Sequence, residues 1–369
     1  MTRRIVQFGT SRFLQAHVDL FVHEARQAGQ DIGPITVVKT TPGVERQGRV
    51  AALRNPAGFP VRVRGYRDQA LVDETIQVRS VDQALSVAQD WATIVAVFAD
   101  AADIVVTNVG DRGYEVTASD LTHALSPGEA PASFPAKLLH LLIARHEAGA
   151  RPLLILPCEL LSSNGQVLSQ RITDLAAQLP TSRAFKTWLG QSVSFANTLV
   201  DRIVSEPIEP VGAIAEPYAL WAIQSEAKAR PFHHPALVYT DNLEPYARLK
   251  LHILNLGHTV LAEIWLKGRR APGETVREIL ADTAVSDELW AIYDEEVIPG
   301  FAVHGMGDEA ARYVQTTVER FRNPFLNHKI ADIAQNHAAK IDLRIRAFHT
   351  WVGGRAKLPR LGAICGANA

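Results

Sequence analysis

Short aliphatic and β-branched runs alternate with stretches of three-to-four-residue apolar periodicity through the first half of the chain. Residues 4–8 read as a strand. Residues 13–28 read as an amphipathic helix whose apolar stripe is Phe13, Leu14, Val18, Phe21 and Val22. Residues 35–39, 104–108 and 153–156 read as further strands, with a helix over 135–147 between the last two. Parallel neighbours need long crossover connections, so this alternation predicts a mostly parallel sheet with helices on both faces. Residues 61–66 and 71–79 alternate with period two, which predicts an added antiparallel hairpin.

The pattern changes after about residue 190. A β-branched run, Thr198-Leu199-Val200-Asp201-Arg202-Ile203-Val204, leads into a stretch punctuated by Pro207, Pro210, Pro217, Pro231 and Pro235. Helical periodicity then fills 244–266, 275–281, 286–298, 308–322 and 325–348. These features predict a mainly α-helical C-terminal domain with its boundary within 190–240, dividing the chain into 1–200 and 201–369. No internal repeat or low-complexity segment interrupts this plan.

Composition narrows the function. A chain of 369 residues fits two domains with substantial cores. With 38 Lys+Arg against 39 Asp+Glu, the formal net charge is -1, which excludes a protein acting through global basicity on nucleic acid or an anionic membrane. Cys158 and Cys365 provide neither a disulfide framework nor a metal-knuckle spacing. The first residues carry no apolar signal core, and no run of about 18 apolar residues occurs, so a soluble cytoplasmic protein is expected.

Four segments could carry chemistry. Gly9 closes the first strand and a helix opens near Phe13, which suits a pyrophosphate resting on helix-terminal N–H groups. The turn reads Gly9-Thr10-Ser11-Arg12-Phe13, so a serine replaces the second glycine of the usual dinucleotide fingerprint. The second strand ends Val38-Lys39-Thr40 without the acidic residue that grips ribose hydroxyls. Lys39 either accommodates a ribose phosphate or is a solvated strand end.

The second segment is Lys250-Leu251-His252-Ile253-Leu254-Asn255-Leu256-Gly257-His258. On an α-helix Asn255 lies about 140° and His258 about 80° around from Lys250, so the three share one broad face. They are either helix-surface polars or a working set. In the latter, a desolvated Lys250 exchanges a proton near neutrality while Asn255 and His258 polarise a carbonyl oxygen. The third, Pro157-Cys158-Glu159 with Asn164-Gly165, follows a parallel strand where open α/β sheets take their ligands, although Asn-Gly is also an ordinary turn signal. Cys158 reads as a small buried residue. In the fourth, Asn323-Pro324 stops a helix between Arg322 and His328; Arg322 either grips a carboxylate or complements the helix end.

Together these segments resemble the polyol-specific long-chain dehydrogenase/reductase family, also called the mannitol dehydrogenase family. The likeness is carried by Phe8 to His17, Pro157-Cys158-Glu159 with Asn164-Gly165, Val200-Asp201-Arg202-Ile203, Arg322-Asn323-Pro324 and above all the Lys-x4-Asn-x2-His helix. Ser133 to Leu138 and Phe321 to Phe325 are similar to its tagaturonate and fructuronate reductase branch. The resemblance implies an α/β Rossmann-like N-terminal domain and a metal-free oxidoreductase using NAD, with NADP a further option, on a keto sugar acid and its aldonate. Lys250 would be the general acid/base, Asn164 and Asn255 the oxyanion site, and His258 the substrate-orienting residue. Arg322 and His328 would bind substrate. Gly9, Thr10, Ser11, Arg12, Phe13, Lys39 and Asn108 would meet the cofactor, and Asp201 would support Lys250 or His258. The implied partner is a small sugar acid or polyol, with the assembly left as monomer or dimer. The rivals are a polyol or polyol-phosphate dehydrogenase and, in another class, a nucleotide-sensing protein without catalysis.

Overall fold

The aliphatic runs of the first half form the strands expected of them, and the helices between them cover both faces. The computed structural model describes residues 3–41, 47–110, 113–117, 119–120, 128–224 and 230–366. Its strands are β1 (Arg3–Phe8), β2 (Ile32–Lys39), β3 (Phe59–Arg67), β4 (Ala70–Val78), β5 (Val81–Ser86), β6 (Ala102–Thr107), β7 (Leu153–Pro157) and β8 (Val193–Phe195). Beyond these come β9 (Thr198–Asp201), β10 (Val204–Pro207), β11 (Ala213–Ala215), β12 (Leu220–Gln224) and β13 (Leu237–Thr240).

The main sheet has the order β5-β2-β1-β6-β7-β8. Every pairing in it is parallel. Strand pleating sends Ile5 into one core with Leu14, Phe21 and Val37, and sends Val6 and Phe8 into another with Phe98, Leu138 and Ile155. That two-sided burial is why β1 reads as an unbroken apolar run. The chain steps outward from β1 to β2 and β5 and then returns to lay β6 against β1. The crevice between the carboxyl ends of β1 and β6 is therefore the topological switch point.

The expected hairpin is β3–β4, turned by Asp68 and Gln69, both with positive φ. It belongs to a sheet of order β10-β11-β3-β4, and a third sheet runs β13-β12-β9. These strands correct the boundary placed at 200/201, which falls at the end of β9. The chain divides into one unit of Met1–Val63, Glu74–Ala215 and Ala219–Leu243 and a second of Arg64–Asp73, Glu216–Tyr218 and Glu244–Ala369. Within the proline-rich stretch, β11 pairs with β3 and β12 with β9.

The second unit is helical around Ile253, Leu256, Val260, Leu289, Tyr293, Phe301, Val314 and Phe348, all buried. The helix Gly307–Phe321 stops at the expected place before Asn323-Pro324. The helix expected over 325–348 is interrupted: after Ile330–Ile333 the chain turns at Asn336, in left-handed backbone, and a new helix opens at His337. No helix among the described residues is long and apolar enough to cross a membrane.

Candidate active site

At the switch point of the first unit, Gly9 holds φ +124°, and a Cβ there would lie 2.6 Å from the Asn108 carbonyl oxygen. Only glycine lets the first turn pass this close to the end of β6. Ser11, in place of the fingerprint's second glycine, does two jobs. Its Oγ accepts from the Leu14 N–H as the N-cap and donates to Asn108 Oδ1 at 2.9 Å. Asn108 Nδ2 in turn donates to the Cys158 carbonyl at 3.0 Å. The turn that opens the first helix is thus tied to the ends of β6 and β7, with the Thr10 carbonyl held by Gln15 Nε2 and Arg12 exposed. Phe13 stacks on His17 at 4.7 Å.

Glu159 reinforces the same edge. It is buried, and its carboxylate accepts from Thr107 Oγ1, the Val109 N–H and Tyr114 Oη at 2.7–3.0 Å. Cys158 is the small buried residue expected, and burial pushes its thiol well above the ordinary range. Lys39 is not a solvated strand end: it is buried at the end of β2, and its ammonium donates to the Thr41 carbonyl at 2.9 Å. Beside the ends of β2 and β5 opens a cleft of about 590 Å³ lined by residues including Thr40, Val87, Gln89, Trp91 and Lys137. Lys137, within the Ser133 to Leu138 segment, is buried and donates to the Ala132 carbonyl. This edge, with helix-terminal N–H groups at the switch point and a cleft beyond β2, fits a dinucleotide lying across it.

Asn164 departs from the oxyanion role expected of it. It is fully buried, its Nδ2 donates to the carbonyls of Pro157, Glu159 and Thr198, and its Oδ1 accepts from the Gly165 and Thr198 N–H groups. Both amide hydrogens are committed to backbone, so none remains for a substrate oxygen. Asn164 instead fastens the end of β7 to the start of β9. Asp201 is also buried, opposite Leu220 of β12.

In the second unit, Lys250–Asn255 forms a π-helical turn between Glu244–Leu249 and Leu256–Lys267. Hydrogen bonds spanning five residues make Lys250 and Asn255 near-neighbours along the axis, closer in angle than an α-helix allows. His258 follows Asn255 by three positions in the resumed α-helix and shares that face. The widened turn is clamped from two sides. Tyr293 Oη donates to the Ile253 carbonyl at 3.0 Å, and Arg344 Nη1 donates to the Asn255 carbonyl at 3.2 Å. Gly257 makes room for the first clamp: a Cβ there would lie 1.9 Å from Tyr293 Oη. Gly257→Ala is therefore expected to cost about 1–3 kcal/mol of stability, the usual scale of overpacking. Chemical denaturation should show a smaller loss when the substitution is made in a Tyr293→Phe background, and equal losses would remove Tyr293 as the cause.

His258 is buried between Phe321, at 4.5 Å, and His328, at 4.9 Å, and its Nε2 has no hydrogen-bond partner. Burial, with the nearby charges of His328, Arg320, Arg344 and Lys340, holds its pKa well below the ordinary histidine value. His328 is lowered by burial as well, against the opposing charge of Asp332. Arg322 sits exposed at the helix end. The buried arginine of this segment is Arg320, two residues earlier, paired with Glu216 at 2.8 Å and lying over the Tyr218 ring at 4.3 Å.

Comparison with known proteins agrees with these two units. Residues 3–233 match the mannitol dehydrogenase Rossmann domain and residues 242–347 the mannitol dehydrogenase C-terminal domain. An altronate oxidoreductase of Halalkalibacterium halodurans is 29% identical over 386 residues, covering 97% of this chain and 73% of its own. In fold, the chain is similar to a D-sorbitol dehydrogenase (TM-score 0.81, 18% identity, 98% of this chain and 79% of that one). It is also similar to a Pseudomonas fluorescens mannitol 2-dehydrogenase solved with NAD and D-mannitol (TM-score 0.75, 20% identity, 100% and 78%). With both of its domains matched in order over most of its length, the chain belongs to the mannitol dehydrogenase family of oxidoreductases.

Proposed function

We infer that the protein interconverts an open-chain keto sugar acid and its aldonate with NAD as the hydride carrier. The observation that carries this reading is the alignment of Lys250, Asn255 and His258 along one helix face, in a chain whose relatives include altronate oxidoreductases. NAD, when bound, supplies or accepts the hydride at its nicotinamide ring. The turn Gly9 to Phe13 would hold its pyrophosphate, Asn108 would keep that turn in place through Ser11, and the cleft beside Thr40 and Lys137 would take its adenosine end.

Lys250 gives a proton to the carbonyl oxygen in reduction and removes it in oxidation. Asn255 donates its amide hydrogen to the same oxygen as charge develops there, a contribution of about 3–4 kcal/mol. His258, kept neutral by burial, orients a substrate hydroxyl. Asn164 contributes within the first unit, by fixing β7 against β9. Proton and developing charge are both served by side chains, so the reading needs no metal ion.

The test is a kinetic panel of aldonates, alditols and alditol phosphates with NAD and NADP. The highest kcat/KM is expected with an aldonate and NAD. A preference for NADP above about tenfold, roughly 1.4 kcal/mol, would make Lys39 and Lys137 readers of a 2′-phosphate. Turnover confined to an alditol phosphate would move the substrate to that class, and nucleotide binding without any turnover would make the chain a sensor.

A further inference from the structure

We propose that Glu159 holds a fixed negative charge beside the nicotinamide ring of bound NAD and so favours the oxidised over the reduced cofactor on the protein. The proposal rests on the dinucleotide placement given above and adds a role for Glu159 toward the ring. Its first support is position. The main sheet runs β5-β2-β1-β6-β7-β8, and the pyrophosphate turn stands at the crevice between β1 and β6. The cleft lined by Thr40, Val87 and Lys137 opens on the β2 and β5 side. A dinucleotide with its adenosine end there sends its other half the opposite way, over β6 and β7. Neighbouring strands lie about 4.8 Å apart, so a ring one sugar beyond the pyrophosphate comes within reach of the end of β7. The Asn108 N–H donates to the Phe8 carbonyl at 2.9 Å and the Cys158 N–H to the Thr107 carbonyl at 2.7 Å, which closes this edge. Glu159 is the next residue along.

The second support is the charge itself. Glu159 is 7% exposed, and its described partners are three neutral donors, Thr107 Oγ1, the Val109 N–H and Tyr114 Oη. Neutral donors hold a carboxylate in place without cancelling its charge. A glutamine would satisfy the same three groups. Its carbonyl oxygen would accept from the Val109 N–H, and its amide would donate to the two hydroxyl oxygens, which turn to accept. Hydrogen bonding alone therefore does not call for an acid here, and a buried charge is costly to keep. The field of that charge runs along the edge. Burial, and after it the Glu159 charge, pushes the pKa of the Cys158 thiol and of the Tyr114 phenol upward.

The third support is the chemistry of the couple. The oxidised nicotinamide ring is positively charged and the reduced ring neutral, so a nearby carboxylate holds the first more tightly than the second. Reduction of a ketone takes a hydride, a proton with two electrons, off the ring and puts it on the carbonyl carbon. The carbonyl oxygen takes its proton from Lys250 in the reading above. The ring gains its positive charge in that step, so a fixed negative charge beside it lowers the barrier to ketone reduction.

The experiment measures Kd for NAD+ and for NADH by calorimetry, without any sugar, in the wild type, Glu159→Gln and Glu159→Asp. ADP-ribose, which lacks the ring, is the control ligand. In Glu159→Gln the ratio of Kd for NAD+ to Kd for NADH is expected to rise at least about fivefold, roughly 20 mV in the bound couple. ADP-ribose affinity is expected to hold. Glu159→Asp keeps the charge and is expected to keep the ratio, even where all three ligands bind more weakly. An unchanged or lowered ratio in Glu159→Gln would overturn the proposal, equal losses for all three ligands marking Glu159 as a structural brace. A ratio raised as far by Glu159→Asp as by Glu159→Gln would overturn it too. Where Glu159→Gln fails to fold, Leu160→Lys takes its place, because Leu160 is 78% exposed. An opposing charge there should also raise the ratio, and an unchanged ratio refutes the placement of the ring. Since no sugar is present, a wrong substrate class leaves these results standing, whereas binding of neither cofactor form refutes the proposal.

Discussion

Lys250→Ala should lower kcat by at least about a hundredfold, the usual scale for losing a general acid–base group. Lys250 is half-buried on a π turn between two α-helical segments, and π turns recur at functional sites because they realign side chains on one face. Cofactor affinity should hardly change, since Lys250 belongs to the helical unit and the turn at Gly9 to the other. A small primary amine in the buffer should restore part of the turnover by occupying the emptied space. The pH profile of kcat should also lose one ionisation. Near-normal turnover by Lys250→Ala would move the proton to another group. His258 would then be a weak candidate as an acid, because its buried ring resists protonation.

Removing Glu216 should be the most destabilising single change in the helical unit. The side chains of Arg320 and Glu216 are 3% and 2% exposed, joined through two charge-assisted hydrogen bonds of 2.8–3.0 Å. Glu216→Ala would leave a guanidinium buried without its counter-charge, and breaking one side of such a pair costs about 3–5 kcal/mol. Guanidinium denaturation measures this directly. Replacing both partners by apolar residues of similar size should recover much of the loss, because the cost lies in the orphaned charge more than in the missing attraction. A loss under about 1 kcal/mol from Glu216→Ala would mean that water reaches Arg320.

The sequence by itself determined the local matters. The strand–helix alternation, the hairpin, the helix stop at Asn323-Pro324 and the Lys-x4-Asn-x2-His spacing are all readable because periodicity, proline and turn chemistry act over a few residues. Tertiary structure decided the assignments that depend on partners distant in the chain. Asn164 looks free in sequence, yet Thr198, thirty-four residues later, uses its amide. Arg322 and Arg320 look alike along the helix, and only Glu216, 104 residues away, makes Arg320 the buried one. The strands β11 and β12 are hidden in a proline-punctuated stretch until β3 and β9 supply their pairing edges. The π turn at Lys250–Asn255 has no signature in the six residues that form it, because its altered carbonyls are stabilised by Tyr293 and Arg344 from elsewhere. A clamp of this kind is a property of a residue's surroundings, and surroundings exist only after folding.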